Sequence, residues 1–385
     1  MQTHEGHHKL HLFHFKLNKE LKEVFVSLSL RTFALSLIGI FVPVYLYTLG
    51  YSIREILLFV LLYHLFHALS SIFLAGKLAK RFGVKHLMLL AMPFLFLHLV
   101  LLALLPSYVV IPLAVVSLLA GIGNSLYWVG YHSEFGKFSD KKHRGKQVGT
   151  ANIVSAVAAA LGPLIGGLII VAFGYIALYV VVFAVLALAV VPLFLSKDFK
   201  GKKKYEIKKV FVNRSFRQDY LPQFMWGIAG AIFLSIWPLI IYFSGAFPEE
   251  AGLGMIFTIT FIVGLFGAIV VSKLVDKMKN WFNLAKVGNV VFTGVWIIRA
   301  FANSTGMFYI SEILGGLNRY FAIIPLEKHV YNRISKSRNV VEYVVFKESS
   351  YHFTATVVMF ILFLIGNLFL APIFAAVAHL AVFFI

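Results

Sequence analysis

Glu312 and Arg319 are charged residues inside an otherwise apolar stretch of the chain. Together with Gly315 and Gly316 they follow the i, i+3, i+4, i+7 spacing that puts an acid, two small residues and a base on one stripe of a helix. An ionised side chain at the centre of a membrane helix costs about 2.5–3.5 kcal/mol on insertion scales, so it usually faces a cavity or a partner. We therefore expect Glu312 either to carry protons or contact a substrate, since buried carboxylates can exchange protons near neutral pH, or to form a structural ion pair.

Arg31 is a second candidate, because it lies about two turns inside the first apolar stretch. Its guanidinium could attract an anionic substrate group or a carboxylate of another helix, or its long side chain could reach the lipid headgroups. Further polar and aromatic residues are expected to contact a partly apolar or aromatic substrate, or else to form interhelical hydrogen bonds: Asn124, Tyr127, Asn152, Gln223, Trp226 and Asn318.

Histidines offer weaker signals. His64 and His67 are spaced for one face of a helix and could form a proton relay, but hydrogen bonds to a neighbouring helix are the simpler interpretation. The N-terminal run of His4, His7, His8, His11 and His14 has metal-ligand spacing. Because apolar residues are interleaved with it, it also fits a helix lying on a membrane surface, and we favour that interpretation.

The basic residues locate the helices that must position these side chains. Of 35 Lys and Arg residues, 31 fall in six stretches, 1–23, 76–86, 132–147, 196–218, 272–287 and 326–347. Each intervening segment is apolar and long enough for two membrane crossings, which is typical of a protein whose basic loops all face the cytoplasm. The sequence thus predicts twelve transmembrane helices at 24–48, 54–75, 87–105, 108–131, 148–171, 175–195, 220–244, 251–271, 287–303, 305–325, 348–367 and 369–385.

Composition supports an all-α membrane protein. Hydrophobic residues make up 60% of the chain and charged residues 13%, which excludes a soluble globular domain. With basic residues at the ends of apolar spans, the net charge of +19 points to anionic lipid headgroups rather than nucleic acid. The absence of cysteine excludes disulfides and thiolate metal sites.

The chain divides near its middle. Residues 196–218 form the longest polar segment, and we interpret them as a linker between a six-helix half at 24–195 and another at 219–385, preceded by a cytoplasmic amphipathic segment at 1–23. Gly121-Ile-Gly-Asn124 is matched by Gly315-Gly-Leu-Asn318, about half a chain length later. Duplicated halves explain the match economically.

Gly76-Lys-Leu-Ala-Lys-Arg-Phe-Gly83 resembles the loop between helices 2 and 3 of the major facilitator superfamily, and the resemblance extends over nearly the whole chain. It implies two six-helix halves that rock to expose a central cavity to either side of the membrane, with helices 1, 4, 7 and 10 lining the path. The Glu312 stripe is then expected to face that path. Gly76, Lys80, Arg81 and Gly83 would belong to the conformational gate.

One position departs from the family pattern, since Lys80 replaces an acid that helps to latch the halves in one state. The equivalent segment of the second half, Lys273-Leu-Val-Asp-Lys277, keeps the acid at Asp276. The resemblance therefore implies a latch that lies mainly at Asp276 and Lys277.

The predicted fifth helix carries a second resemblance. Gly149, Ala158, Gly162-Pro163 and Gly166-Gly167 are similar to the signature of proton-coupled drug antiporters, with Ala158 replacing a glycine. Small residues also allow close helix packing in membrane proteins of any function, and residues 118–128 lack the arginine that this subgroup uses near its proton site. Export against proton entry is the leading prediction, and uptake by symport or by facilitated diffusion is the alternative.

We predict a secondary active transporter rather than an enzyme, because the sequence has no histidine box, nucleophile elbow or acid cluster. Its expected partners are a small organic molecule, protons and membrane lipids, with no cofactor. We expect a monomer in a prokaryotic inner membrane with its N-terminus in the cytoplasm. A non-transporting receptor or scaffold is the distant alternative.

Overall fold

A computed structural model describes residues 18–105, 112–200, 205–213, 216, 219–247 and 249–385. These residues are almost entirely helical and contain no strand. The helices are α1 Lys19–Thr48, α2 Ile53–Phe82, α3 Val84–Leu104, α4 Leu113–Phe138, α5 at 144–173, α6 at 175–194, α7 Tyr220–Phe243, α8 Glu250–Leu274, α9 Trp281–Phe301, α10 Thr305–Lys336, α11 Val340–Ile365 and α12 Leu368–Phe384. A short helix, Ile207–Val212, lies between α6 and α7.

Local signals in the sequence define several helix ends. Ser52 and Glu55 form a capping box at the start of α2, which satisfies two of its free backbone N–H groups. Gly174 has φ 79°, a left-handed conformation that breaks the chain between α5 and α6 at the predicted connection. Gly366, with φ 71°, ends α11 in the same way.

Within the described residues, nine helical stretches are long and apolar enough to cross a membrane. The fold is thus an all-α membrane protein, while the number of twelve crossings stays a prediction. Several boundaries differ from expectation: α1 begins before residue 24, α4 and α10 continue into the predicted loops 132–147 and 326–347, and α11 begins inside the latter. The reason is that charged residues in these segments find partners inside the bundle, as described below.

The two predicted halves touch most extensively along two helix pairs, α5 with α8 and α2 with α11, and they also meet where α4 and α5 approach α10 and α11. Buried apolar clusters from both halves lie towards each end of the bundle. We call the end that holds the α2–α3, α4–α5, α8–α9 and α10–α11 turns the basic end. The described part of the predicted N-terminal segment and linker also lies there, and residues 1–17, with their histidine run, lie outside the described residues.

Candidate functional site

A small cavity lies between the two halves, nearer the basic end. Its volume is about 110 Å³, and α1, α4, α5 and α10 all contribute to its walls. The walls are largely aromatic, with Trp128, Tyr131, Phe135 and Tyr331, and its polar groups include His132, Asn152 and Glu327. A space this small is well below the size of a typical ligand pocket, so the halves must separate to admit an organic molecule.

Glu327 is the acid of this cavity. Its Oε2 accepts a hydrogen bond of 2.6 Å from Asn152 Nδ2, which joins α10 of one half to α5 of the other. Among the described residues, Glu327 forms no ion pair. Asn152 was predicted as a substrate contact, whereas Glu327 was missed because residues 326–347 were assigned to a loop. The helix continues past Pro325. The i, i+4 spacing of Glu327 and Tyr331 on one helix face is the sequence signal that could have identified Glu327.

Arg31 lies beside the cavity on α1. It is only 2% exposed, and it donates a hydrogen bond to Asn124 Oδ1 on α4. Its guanidinium carbon lies 4.1 Å from the ring centre of Tyr127 and 4.8 Å from that of Trp128. The structure thus brings Arg31, Asn124 and Tyr127 together at the wall between the halves, with the guanidinium directed into the bundle.

Glu312 lies elsewhere, inside the second half. Its Oε1 is 2.6 Å from Arg299 Nη2 and accepts a hydrogen bond from Trp237 Nε1, while its Oε2 accepts one from Thr260 Oγ1. Both charged side chains are fully buried. Of the two interpretations of Glu312, this geometry matches the structural ion pair.

The remaining polar and aromatic residues predicted for the path lie outside the cavity. Arg319 lies over the ring of Phe233, 5.0 Å from its centre, and Asn318 donates a 2.6 Å hydrogen bond to the Gly288 carbonyl. Gln223 is 1% exposed, and its side-chain amide has no hydrogen-bond partner within the described part of the chain. Trp226 is partly buried against an apolar cluster. None of these four residues lines the 110 Å³ cavity.

A buried charged cluster, which sequence analysis did not assemble, joins α2, α4 and α11. Lys347 Nζ lies 2.8 Å from Glu348 Oε1, and His67 Nε2 lies 3.3 Å from Glu348 Oε2. His132 Nε2 lies 3.3 Å from Glu348 Oε1, and His352 Nε2 is 4.0 Å from Oε2. Sequence analysis noted His67 only together with His64 and placed Lys347 in a basic stretch outside the helices. The i, i+4 spacing of Glu348 and His352 was the available signal.

Asp276, the predicted latch residue, contacts both halves at the basic end. Its Oδ2 accepts a 2.8 Å hydrogen bond from the backbone N–H of Lys146 at the start of α5, and its Oδ1 is 2.7 Å from Lys328 Nζ. Gly145 lies directly against the carboxylate, so that a side chain there would collide with it. An acid at a helix N-terminus is stabilised by the exposed N–H groups and the helix dipole. Asp276 thus ties α8 to α5 at the basic end.

The corresponding turn of the first half has different partners. Gly83 has φ 107°, and Asp198 Oδ1 accepts a 2.9 Å hydrogen bond from the N–H of Lys85. Gly76 packs against the ring of Tyr205, and Arg81 lies over Phe82. Lys80 and Lys277 make no ion pair among the residues that the structure describes.

The small residues of α5 pack against both α1 and α8. The helix breaks at Leu161, just before Pro163. Gly162 and Gly166 lie against Ser36 and Leu37 of α1, and Gly167 lies against the backbone of Glu250 and Ala251 in α8. These glycines let three backbones approach closely where the two halves meet.

Comparisons with known proteins agree with this architecture. The sequence model of the family described as Major Facilitator Superfamily matches residues 24–339. A Bacillus subtilis (strain 168) protein, "Uncharacterized protein YqgE", is 21% identical over 290 residues, which span 72% of this chain and 67% of that protein.

Solved structures show the same fold. The Escherichia coli fucose:proton symporter FucP, in a variant form, superposes with a TM-score of 0.67 at 14% identity, covering 94% of this chain and 97% of that one. The human organic anion transporter MFSD10 (TETRAN) superposes with a TM-score of 0.63 at 12% identity, covering 95% and 98%.

Proposed function

The chain belongs to the major facilitator superfamily, whose members are membrane transporters and not enzymes, and from this premise we propose a secondary active transporter that moves a small organic molecule by alternating access, coupled to protons. The cavity between α1, α4, α5 and α10 would be the closed remnant of the translocation path. Its aromatic walls suit a partly apolar or aromatic substrate.

The observation that carries the proposal is the position of Glu327. Its carboxylate lies in the inter-half cavity, held by an amide from the opposite half and by no cation within ion-pair distance among the described residues. Tyr131 and Tyr331 line the same cavity. A proton carrier must be able to change between the ionised and the neutral form, so it needs a position in the path without a fixed cation partner. Glu327 has such a position, whereas Glu312 is paired with Arg299.

We propose export against proton entry as the direction. What supports it is the small-residue pattern of α5 and its close packing on α8. The lack of an arginine in residues 118–128 of α4 favours uptake, which is the second candidate. We further propose a monomer in a prokaryotic inner membrane with the basic end in the cytoplasm, as the charge distribution suggests.

Reconstituted liposomes test the coupling. We would screen small aromatic molecules for those whose addition moves protons, using a pH-sensitive dye inside the liposomes. With a responding compound, the Glu327→Gln variant should still exchange external for internal substrate but should no longer accumulate it when a pH gradient is imposed. Glu249→Gln, an exposed acid at the start of α8, is the matched control.

The outcome separates the candidates. Proton movement opposite to substrate movement supports export, and movement in the same direction supports uptake. Gradient-driven accumulation that survives in Glu327→Gln removes this residue as the carrier.

A further inference from the structure

The cluster around Glu348 contains three side chains with the donor atoms of a transition-metal site. His67 Nε2, Glu348 Oε2 and His352 Nε2 belong to two helices of opposite halves, α2 and α11, and their ligand atoms lie within 4.8 Å of one another. All three residues are buried. Imidazole nitrogen combined with a carboxylate oxygen is the donor set of Zn²⁺, Co²⁺ and related divalent ions rather than of Mg²⁺ or Ca²⁺.

A neighbouring hydrogen bond orients one of these donors. His352 Nδ1 lies 2.7 Å from His64 Nδ1, and when the shared proton is on His352 Nδ1 the Nε2 lone pair of His352 is free. The rings of His67 and His352 are stacked, with centres 3.4 Å apart, and both present Nε2 towards Glu348. Histidines that bind metals usually make such a hydrogen bond through their other nitrogen, which fixes the tautomer.

Glu348 divides its two oxygens between different neighbours. Lys347 Nζ lies 2.8 Å from Oε1, and His132 Nε2 lies 3.3 Å from the same atom. Oε2 faces only His67 and His352 among the ion-pair partners in the described residues. A carboxylate held at one oxygen by an ammonium can therefore still offer the other oxygen to an ion.

We propose that His67, Glu348 and His352 bind one divalent transition-metal ion of the zinc class, with a fourth position left for water. Typical Zn–N and Zn–O bonds are about 2.0–2.2 Å, and tetrahedral ligands on such bonds stand about 3.3–3.6 Å apart. The observed separations of 3.3 Å for His67 and 4.0 Å for His352 from Glu348 Oε2 are close to these values, and one of the two nearly parallel imidazoles must turn out of the stack so that both Nε2 lone pairs point at the same ion.

An ion at this site joins the two halves, because His67 lies in α2 and the other two ligands lie in α11. It binds only while these helices are in contact, so it stabilises the present arrangement over any arrangement that separates them. The ion thus acts as an inhibitory clamp, a consequence that rests on the alternating-access mechanism proposed above. Metal binding itself does not depend on that mechanism.

The test uses the full-length chain with His4, His7, His8, His11 and His14 replaced by Gln and without a histidine tag, so that the N-terminal run cannot bind the probe. Co²⁺ is added to the purified protein, and its visible absorption and binding stoichiometry are measured. We expect one Co²⁺ per chain with an absorption typical of four-coordinate nitrogen and oxygen ligation, displaced by Zn²⁺. If this protein, in which the cluster itself is unchanged, does not bind Co²⁺ stoichiometrically, the proposal is overturned.

Variants then assign the ligands. His352→Ala and Glu348→Gln should abolish the Co²⁺ signal, and His64→Ala, which removes only the hydrogen bond to His352, should weaken Co²⁺ affinity about 10- to 100-fold. His98→Ala, a histidine of α3 bonded to the Val116 carbonyl, is the control and should bind Co²⁺ normally. A signal unchanged in folded His352→Ala protein would show that the ion lies elsewhere.

The clamp has its own readout. Zn²⁺ should raise the melting temperature of the starting protein and should inhibit its transport, but it should do neither in His352→Ala. If Co²⁺ binds as described and transport is insensitive to Zn²⁺, the site stands and the clamp is rejected.

Discussion

Arg299 Nη2 lies 2.6 Å from Glu312 Oε1, and neither side chain is exposed. The pair joins α9 to α10 within one half, and Trp237 and Thr260 complete the hydrogen bonds of the carboxylate. Cations near aromatic faces are further stabilised, and the Arg299 guanidinium carbon lies 4.4 Å from the ring centre of Trp296. The Arg299–Glu312 pair therefore belongs to the packing of the second half.

Replacing Glu312 by Ala should destabilise the protein by about 3–5 kcal/mol, because it leaves a buried guanidinium without a partner. Thermal unfolding in detergent measures the change. Replacing both members together, as Arg299→Met with Glu312→Leu, should recover much of the loss, since neither charge is then buried. Protein that folds as Glu312→Gln should retain proton-driven transport, and loss of coupling with normal stability would instead make Glu312 the carrier.

Asp276 should control how often the basic end opens. Asp276→Asn removes the ion pair with Lys328 and weakens the bond to the start of α5. Because the chain has no cysteine, Ile334→Cys introduces a single thiol at a buried position facing Gly136 of the other half. Labelling of this thiol should accelerate about tenfold in Asp276→Asn, the change in population that 1.4 kcal/mol produces.

Lys279→Gln is the control for the latch, because Lys279 is exposed and lies three residues after Asp276. It should leave the labelling rate of the introduced thiol unchanged. Equal thiol-labelling rates in Ile334→Cys protein with and without Asp276→Asn would show that Asp276 does not hold the halves together.

The sequence predicted the fold well because its strongest signals are local. Apolar spans predict the helices, and basic turns predict where the helices end. The motif around Gly83 indicates the family. None of these signals requires knowledge of a distant contact. The predicted gate at Asp276 is likewise a turn motif, and the structure places it against α5.

Pairing of charges across the bundle could not be predicted in the same way. Glu327 and Lys347 lie just outside the predicted helices 305–325 and 348–367, where charged residues ordinarily reach the headgroups, but their partners Asn152 and His132 are far away in sequence. Glu312 was recognised as buried, yet nothing in the sequence singled out Arg299, in the predicted helix 287–303, as its partner. Only the three-dimensional fold shows which buried charge is neutralised and which one faces the cavity.

Stability should depend on pH through Asp219, just before α7. Burial alone would raise the pKa of this carboxyl, but hydrogen bonds from His329 Nε2 at 3.1 Å and Arg333 Nε at 3.0 Å hold its pKa below the usual value. The stabilisation is complete above the unfolded pKa of about 3.9. It is lost as the pH falls through the lower folded pKa, because the unfolded chain takes up its proton first.

Melting temperatures of the wild type and Asp219→Asn measure this dependence. The variant should melt at a lower temperature at neutral pH, consistent with about 1–3 kcal/mol for unsatisfied buried groups. The difference should shrink as the pH falls below about 4, where Asp219 of the unfolded wild type is protonated. Glu249→Gln, which changes an exposed acid, should match the wild type throughout. A difference that does not vary with pH would exclude ionised Asp219 as its source.

Replacing the small residues where α5 packs should slow transport without preventing insertion into the membrane. Gly254 of α8 lies against the carbonyl of Pro163, and a methyl group there must push the two halves apart. Gly162→Ala with Pro163→Ala likewise adds a side chain against Ser36 and removes the proline that interrupts α5. Overpacking of this kind costs about 1–3 kcal/mol, enough to slow rocking without unfolding the chain.

Gly294→Ala meets open space in α9 and is the matched control. Substrate exchange in liposomes, normalised to inserted protein, should fall in Gly254→Ala and in the double variant Gly162→Ala with Pro163→Ala, and it should stay normal in Gly294→Ala. Normal exchange in all three would mean that the halves move without sliding along this contact, because the added methyl groups would then obstruct no step of the cycle.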